Sequence, residues 1–98
     1  MIAHVAAVIE VTDPDTFERY VARAAEALKK HDGRVAAVAA PEGETLEDTG
    51  AATGAILVLL EFPSANAARS WIGDPTSHSI HELRRGGAKT TIRLMEPR

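Results

Sequence analysis

Two apolar runs in this 98-residue chain each carry a residue suited to acid–base chemistry. His4 opens "HVAAVIEV" (4–11), Glu61 closes "GAILVLLEF" (54–62), and Glu10 stands further along the first run. If the runs are antiparallel strands, the start of one lies beside the end of the other. That register sets His4 next to Glu61 and Glu10 near Ala55, with His4, Glu61 and Glu10 on one sheet face. A carboxylate beside an imidazole orients the ring and holds it as a general base near neutral pH. His4, Glu61 and Glu10 are therefore the candidate catalytic set. The competing reading is a pair that merely caps the sheet edge, and a one-residue slip would part them altogether.

A second stretch, "HSIHELRR" (78–85), sets two histidines three apart. At about 100° per residue, His78, His81, Glu82 and Arg85 share one arc, while Ile80 and Leu83 point the other way. The apolar side is expected to dock, turning the histidines toward solvent, a partner subunit or a pocket mouth. His78 is kept as a candidate ligand contact. A metal site wants a third or fourth ligand and little positive charge nearby. The chain has no cysteine, and Arg85 shares the face, so no metal is expected.

Tyr20 and Trp71, the one tyrosine and one tryptophan, fall on the apolar stripes of two helical segments. Such residues are core by default. The alternative is that they wall a flat apolar pocket, with the Tyr20 hydroxyl as a donor and neighbouring alanines leaving room. Arg34, at the start of an apolar run, suits either an anionic ligand group or a partner such as Glu47.

The elements that must hold these residues follow from local signals. The run 4–11 is β-branched and stopped by "TDP", where Asp13 is a helix cap and Pro14 a first helical residue. Phe17, Tyr20, Val21, Ala24 and Leu28 then recur at helical spacing, Glu26 and Lys30 are set to pair, and Gly33 is expected as the left-handed cap. A strand is expected over 34–40, a polar loop over 41–53 and the strongest strand over 54–62. Ser64 caps a second helix bearing Ala65, Ala68, Trp71 and Ile72. "GDP" (73–75) opens a third, short helix ending at Gly86–Gly87, and a strand over 89–96 closes the chain.

This β-α-β-β-α-(α)-β order is the ferredoxin-like α+β pattern: four antiparallel strands in the order 4-1-3-2, with the helices on one face. Residues 1–98 form one such domain. The strand at 54–62 is apolar on both sides, so the face without helices needs a cover. A second copy meeting it sheet to sheet supplies one, making a homodimeric α+β barrel.

Composition narrows the classes. Apolar residues make up 45% of the chain but aromatics only 4%, so much of the apolar content is small alanine and little area is buried per residue. Subunit pairing would help so small a core. A net charge of −3 without a basic stripe argues against nucleic acid, and no apolar run is long enough to span a membrane. No signal-peptide pattern is present, and a cytoplasmic location is expected.

The segments "VTDPDTFERYV", "GR" (33–34), "LED" (46–48), "LLEFPSANAARSW" and "DP…LRRGGA" together resemble the domain-of-unknown-function 1330 family of the dimeric α+β barrel superfamily. The resemblance implies a homodimer with a pocket between sheet and helices and supports Glu10 and Glu61 as shared positions. It assigns no activity. Members carry an aromatic near position 4 and an arginine followed by two glycines in the second strand. Here those places hold His4 and the run Val38, Ala39, Ala40. The wider superfamily includes cofactor-free monooxygenases, muconolactone-type isomerases and haem-binding proteins, an analogy of fold alone.

Two functions compete. One is a small enzyme that needs no cofactor and moves protons on an apolar, oxygenated cyclic metabolite: an isomerase, cyclase or monooxygenase. The other is a non-catalytic dimer that binds or senses a small molecule. A haem or metal protein using the histidines ranks third.

Overall fold

The computed structural model describes residues 1–51 and 54–97; Ala52 and Thr53, within the segment expected as a loop, and Arg98 lie outside the described residues. The elements are β1 (Ala3–Val11), α1 (Pro14–Lys29), β2 (Arg34–Ala39), β3 (Ile56–Phe62), α2 (Ala65–Gly73), a 3-10 turn (Pro75–Ser77), α3 (His78–Gly87) and β4 (Ala88–Met95). The sheet runs β2-β3-β1-β4, antiparallel throughout, which is the expected order read from the other edge.

The helix starts form as their caps dictate. An Asp13 carboxylate oxygen accepts from the Thr16 amide at 3.4 Å and the other from the Thr16 hydroxyl at 2.8 Å, while Ser64 Oγ accepts from the Ala67 amide at 3.1 Å. The end of α1 departs from expectation. The left-handed residue is Asp32, with φ of 56°, and not Gly33. Gly33 is needed for a different reason: a Cβ there would stand 2.5 Å from Phe62 Cε1. Glu26 also pairs differently, with Arg23 at 3.1 Å, while Lys30 Nζ reaches Thr76 Oγ1 at 3.4 Å.

Burial alternates along β1. Ala3, Val5, Ala7 and Ile9 are buried under the helices, and His4, Ala6 and Val8 are half-buried on the other face. Val5, Leu28, Leu60, Phe62, Ala68, Trp71 and Ile80 form the main core, with the Phe62 and Trp71 rings 5.3 Å apart. At the opposite end α3 abuts the start of α1. The Gly87 carbonyl accepts from the Thr12 and Asp13 amides at 2.9 and 3.0 Å, and a Cβ on Gly87 would meet the Phe17 amide nitrogen at 2.6 Å.

Strand β2 is exposed along its whole length. A register shift between Val35 and Ala37 marks a bulge, so Val35 pairs with Leu60 and Val38 with Val58. The extra residue keeps both valines on the helix side although they are three apart. Arg34, Ala37 and Ala39 are left on the open face with Leu57 and Leu59. The uncovered apolar face expected from β3 is thus present, with Leu57 47% and Met95 48% exposed.

Candidate functional site

A cavity of about 710 Å³ opens between α1 and the sheet, on the side of the exposed edge strand β2. That is the size of a small-molecule pocket. Ala7, Ala24 and Ala25 leave the room. Phe17, Tyr20 and Trp71 supply flat walls, Val58, Leu60 and Ile92 the floor, and Val35 and Val38 the outer side. Tyr20 and Trp71 both line the cavity, and both also belong to the packing of the main core, Trp71 as a member and Tyr20 against it. Trp71 is only 3% exposed.

The polar end of the cavity belongs to α3. Arg84 lines it while only 3% exposed, its guanidinium carbon 5.6 Å from the Tyr20 ring centre and 5.9 Å from that of Trp71. Arg84 Nη1 donates to His81 Nδ1 at 2.8 Å. On its other side the His81 ring meets the Trp71 carbonyl through Nε2 at 2.9 Å. A carbonyl only accepts and a guanidinium only donates, so the ring carries its proton on Nε2 and is neutral. Burial, then the Arg84 and Arg85 charges, push the His81 pKa below its usual 6.5, against the hydrogen bond to the Trp71 carbonyl, which raises it.

Two buried donors at this end, Trp71 Nε1 and Arg84 Nε, have no acceptor among the described residues. No carboxylate pairs with Arg84 among them either. The ionisable side chains of the lining are Tyr20, Lys29, Arg34 and Arg84, with no carboxylate and no imidazole.

The expected orientation of α3 is corrected for one residue. His81 faces inward and is 1% exposed, while His78, Glu82 and Arg85 are exposed as expected. The helix docks on Ser77, Ile80, His81, Arg84 and Gly87, an arc centred between Ile80 and His81 and not on Ile80 and Leu83. What turns the imidazole in is the Trp71 carbonyl at the end of α2, which accepts from the His81 ring as well as from the Asp74 amide at 3.4 Å. His78 does not line the cavity.

His4 and Glu61 meet as the register required, paired across β1 and β3 with His4 Nε2 and Glu61 Oε1 at 3.2 Å. Arg34 pairs with the other Glu61 oxygen and not with Glu47. Arg34, Glu61, His4 and Met95 thus form one row across the open face. The cavity lies on the other face. Glu10 shares the side of His4 but sits six residues along β1, about 20 Å away at the usual strand rise, opposite Lys89. The three residues share a face without converging on one point.

Sequence reading also passed over a contact between His31 and Asp74, which joins the end of α1 to the turn before α3 at 2.8 Å. Hydrogen bonds from the Thr76 hydroxyl and then from His31 bring the Asp74 pKa down to about 2. Among the described residues, no three His, Asp or Glu side chains group as a metal ion needs, and no helix is long and apolar enough to cross a membrane.

The family model described as "Domain of unknown function (DUF1330)" matches residues 2–97, and the chain belongs to that family. No curated protein matches the sequence. Among solved structures, SnoaB, a cofactor-independent oxygenase from Streptomyces nogalater, is similar with 16% identity and a TM-score of 0.67 over 99% of this chain and 93% of its own. RPA0582, a protein of unknown function from Rhodopseudomonas palustris, gives 16% identity and a TM-score of 0.73 over 98% and 82%. A dimeric ferredoxin-like protein of unknown function from Jannaschia sp. CCS1 gives 10% and 0.70 over 99% and 100%. At such identities the likeness establishes the ferredoxin-like fold and nothing about activity.

Proposed function

We propose that this member of the DUF1330 family is a homodimer whose protomers each take an apolar, ring-bearing, oxygenated small molecule into the cavity under α1 and convert it without a cofactor, as an isomerase, cyclase or monooxygenase. The observation that carries this is the cavity of about 710 Å³ walled by Phe17, Tyr20 and Trp71, in a chain with only 4% aromatic residues. Flat side chains beside alanines fit a ring, and the Tyr20 hydroxyl serves as a hydrogen-bond donor to it. The fold shared with a cofactor-independent oxygenase and with a dimeric ferredoxin-like protein supports the reading. In this reading the His4–Glu61–Arg34 row belongs to the surface where the two sheets meet.

A second reading, binding without turnover, is favoured by one observation: the described lining holds neither carboxylate nor imidazole as a general base. Aerobic incubation with phenolic and enolic polycyclic compounds, followed by absorbance and oxygen uptake, separates the two. Turnover that Ala24→Trp abolishes by filling the cavity supports the enzyme. Binding that the same change abolishes, with every compound unaltered, leaves the binder.

A further inference from the structure

We infer that Arg84 is the receptor for a single anionic oxygen group on the ligand: a carboxylate, or a phenol or enol bound as its anion. This rests on the cavity reading above and names the chemistry at its polar end. A guanidinium that is 3% exposed normally answers a carboxylate, because an unpaired buried charge is costly. Here its protein partner is the neutral His81, which accepts one N–H and contributes no charge. The faces of Tyr20 and Trp71 offset part of the cost but satisfy none of the in-plane donors. Arg84 Nε and Trp71 Nε1 are both donors without an acceptor; Ser77 Oγ, which can donate or accept, is the third such buried atom among the described residues.

The remaining lining points the same way. Lys29 stands at the exposed edge of the cavity with no acid in its described wall to offset it; Arg34 also borders the cavity, but its charge is answered by Glu61. An incoming anion meets positive charge at the entrance and an unpaired guanidinium at the end. His81 is a positioning residue. Its Nε2–H is fixed by the Trp71 carbonyl, so its lone pair holds Nη1 and sets the plane of the fork.

Two fluorescent probes that differ by one group test this: 1-anilinonaphthalene-8-sulfonate, an aromatic body with a sulfonate, and N-phenyl-1-naphthylamine, the same body without it. The parent protein is expected to bind both, and Ala24→Trp to abolish both, which locates them in the cavity. Arg84→Met is expected to weaken the sulfonate probe about ten- to hundredfold, the range of a charge-assisted hydrogen bond, and to leave the neutral probe within about twofold. Arg84→Gln serves as a second variant, and retained binding of the neutral probe shows that the cavity is intact. If both probes bind in the cavity and Arg84→Met weakens neither, or weakens both alike, the anion assignment is overturned while the cavity reading stands. If neither probe binds the parent, or Ala24→Trp leaves binding untouched, the cavity reading falls and this inference with it.

Discussion

Replacing Arg84 by methionine also distinguishes a guanidinium kept for a ligand from one kept for the fold. In the folded protein the buried charge carries a desolvation cost of several kcal/mol. Against that stand one hydrogen bond from a charged donor, about 1.5–3 kcal/mol, and two ring contacts worth together about 2 kcal/mol. The terms come close to cancelling. Methionine removes the cost and both gains, keeps an apolar body of similar length, and strands His81 Nδ1 at a penalty of about 1–3 kcal/mol. The expected net change is therefore a loss of about 1–3 kcal/mol, that of the stranded His81 nitrogen. Had Arg84 belonged to an internal ion pair, losing it would cost about 3–5 kcal/mol.

Urea unfolding followed by the fluorescence of Trp71, the one tryptophan, measures the difference. Protein concentration must be held fixed, because a dimer gains stability by mass action. A saturating anionic ligand, at a hundred times its Kd, should stabilise the parent by about 2.7 kcal/mol and the variant by far less. A loss of more than about 3 kcal/mol without ligand would falsify the argument, since it would mean that the fold itself compensates the Arg84 charge.

Three further outcomes are expected. Gly33→Ala should cost about 1–3 kcal/mol, because its Cβ would stand 2.5 Å from Phe62 Cε1 in the core; an unchanged thermal melting curve would refute that packing. The His81 imidazole is held below its ordinary 6.5, so the unfolded chain takes up that proton more readily than the folded one. Its share of stability is complete above about pH 6.5 and is lost as pH falls toward the lower folded-state value; the difference between parent and His81→Gln in unfolding midpoint across pH 4 to 8 should therefore shrink on the acid side, and a parallel pair of curves would count against it. Leu57→Glu puts a carboxylate on the open sheet face and should weaken the dimer about a hundredfold or more, halving the mass seen by light scattering at micromolar concentration; a parent that is already monomeric there sinks the pairing of sheets.

Which of these features the sequence could reveal depended on the distance over which each is determined. The His4–Glu61 pairing was legible because both strands have local stops, "TDP" after one and "FP" at the end of the other, and a period-two pattern that tolerates a single register. The two apolar faces of β3 were legible for the same reason. The inward turn of His81 was not, because it depends on an acceptor ten residues earlier at the end of another helix. Nor was the His31–Asp74 contact, which spans 43 positions and two elements. Arg84 had a signal that went unread: Ser77, Ile80, Arg84 and Gly87 recur at spacings of three, four and three, a docking stripe with a cation inside it. Gly33 was read for its conformational freedom when its neighbour Asp32 takes the left-handed turn, and the demand on Gly33 comes from a ring one strand away.

The chain divides two tasks between the two faces of one sheet. On the open face Arg34, Glu61, His4 and Met95 form a row whose charges are answered within the protein, and around it lie leucines and alanines that can meet a second copy. On the helix face the charge balance is left open. All four aromatic residues gather there, Phe17, Tyr20 and Trp71 in the cavity wall and Phe62 packed beneath Trp71. A small domain gains most of its stability from such side chains, yet three of them stand against empty volume with a buried cation between two of their rings. Filling that volume with larger residues than Ala7, Ala24 and Ala25 would raise stability and abolish the cavity. Its persistence, with orphaned donors and no acid at its end, is best explained by a ligand that brings both the ring and the negative charge.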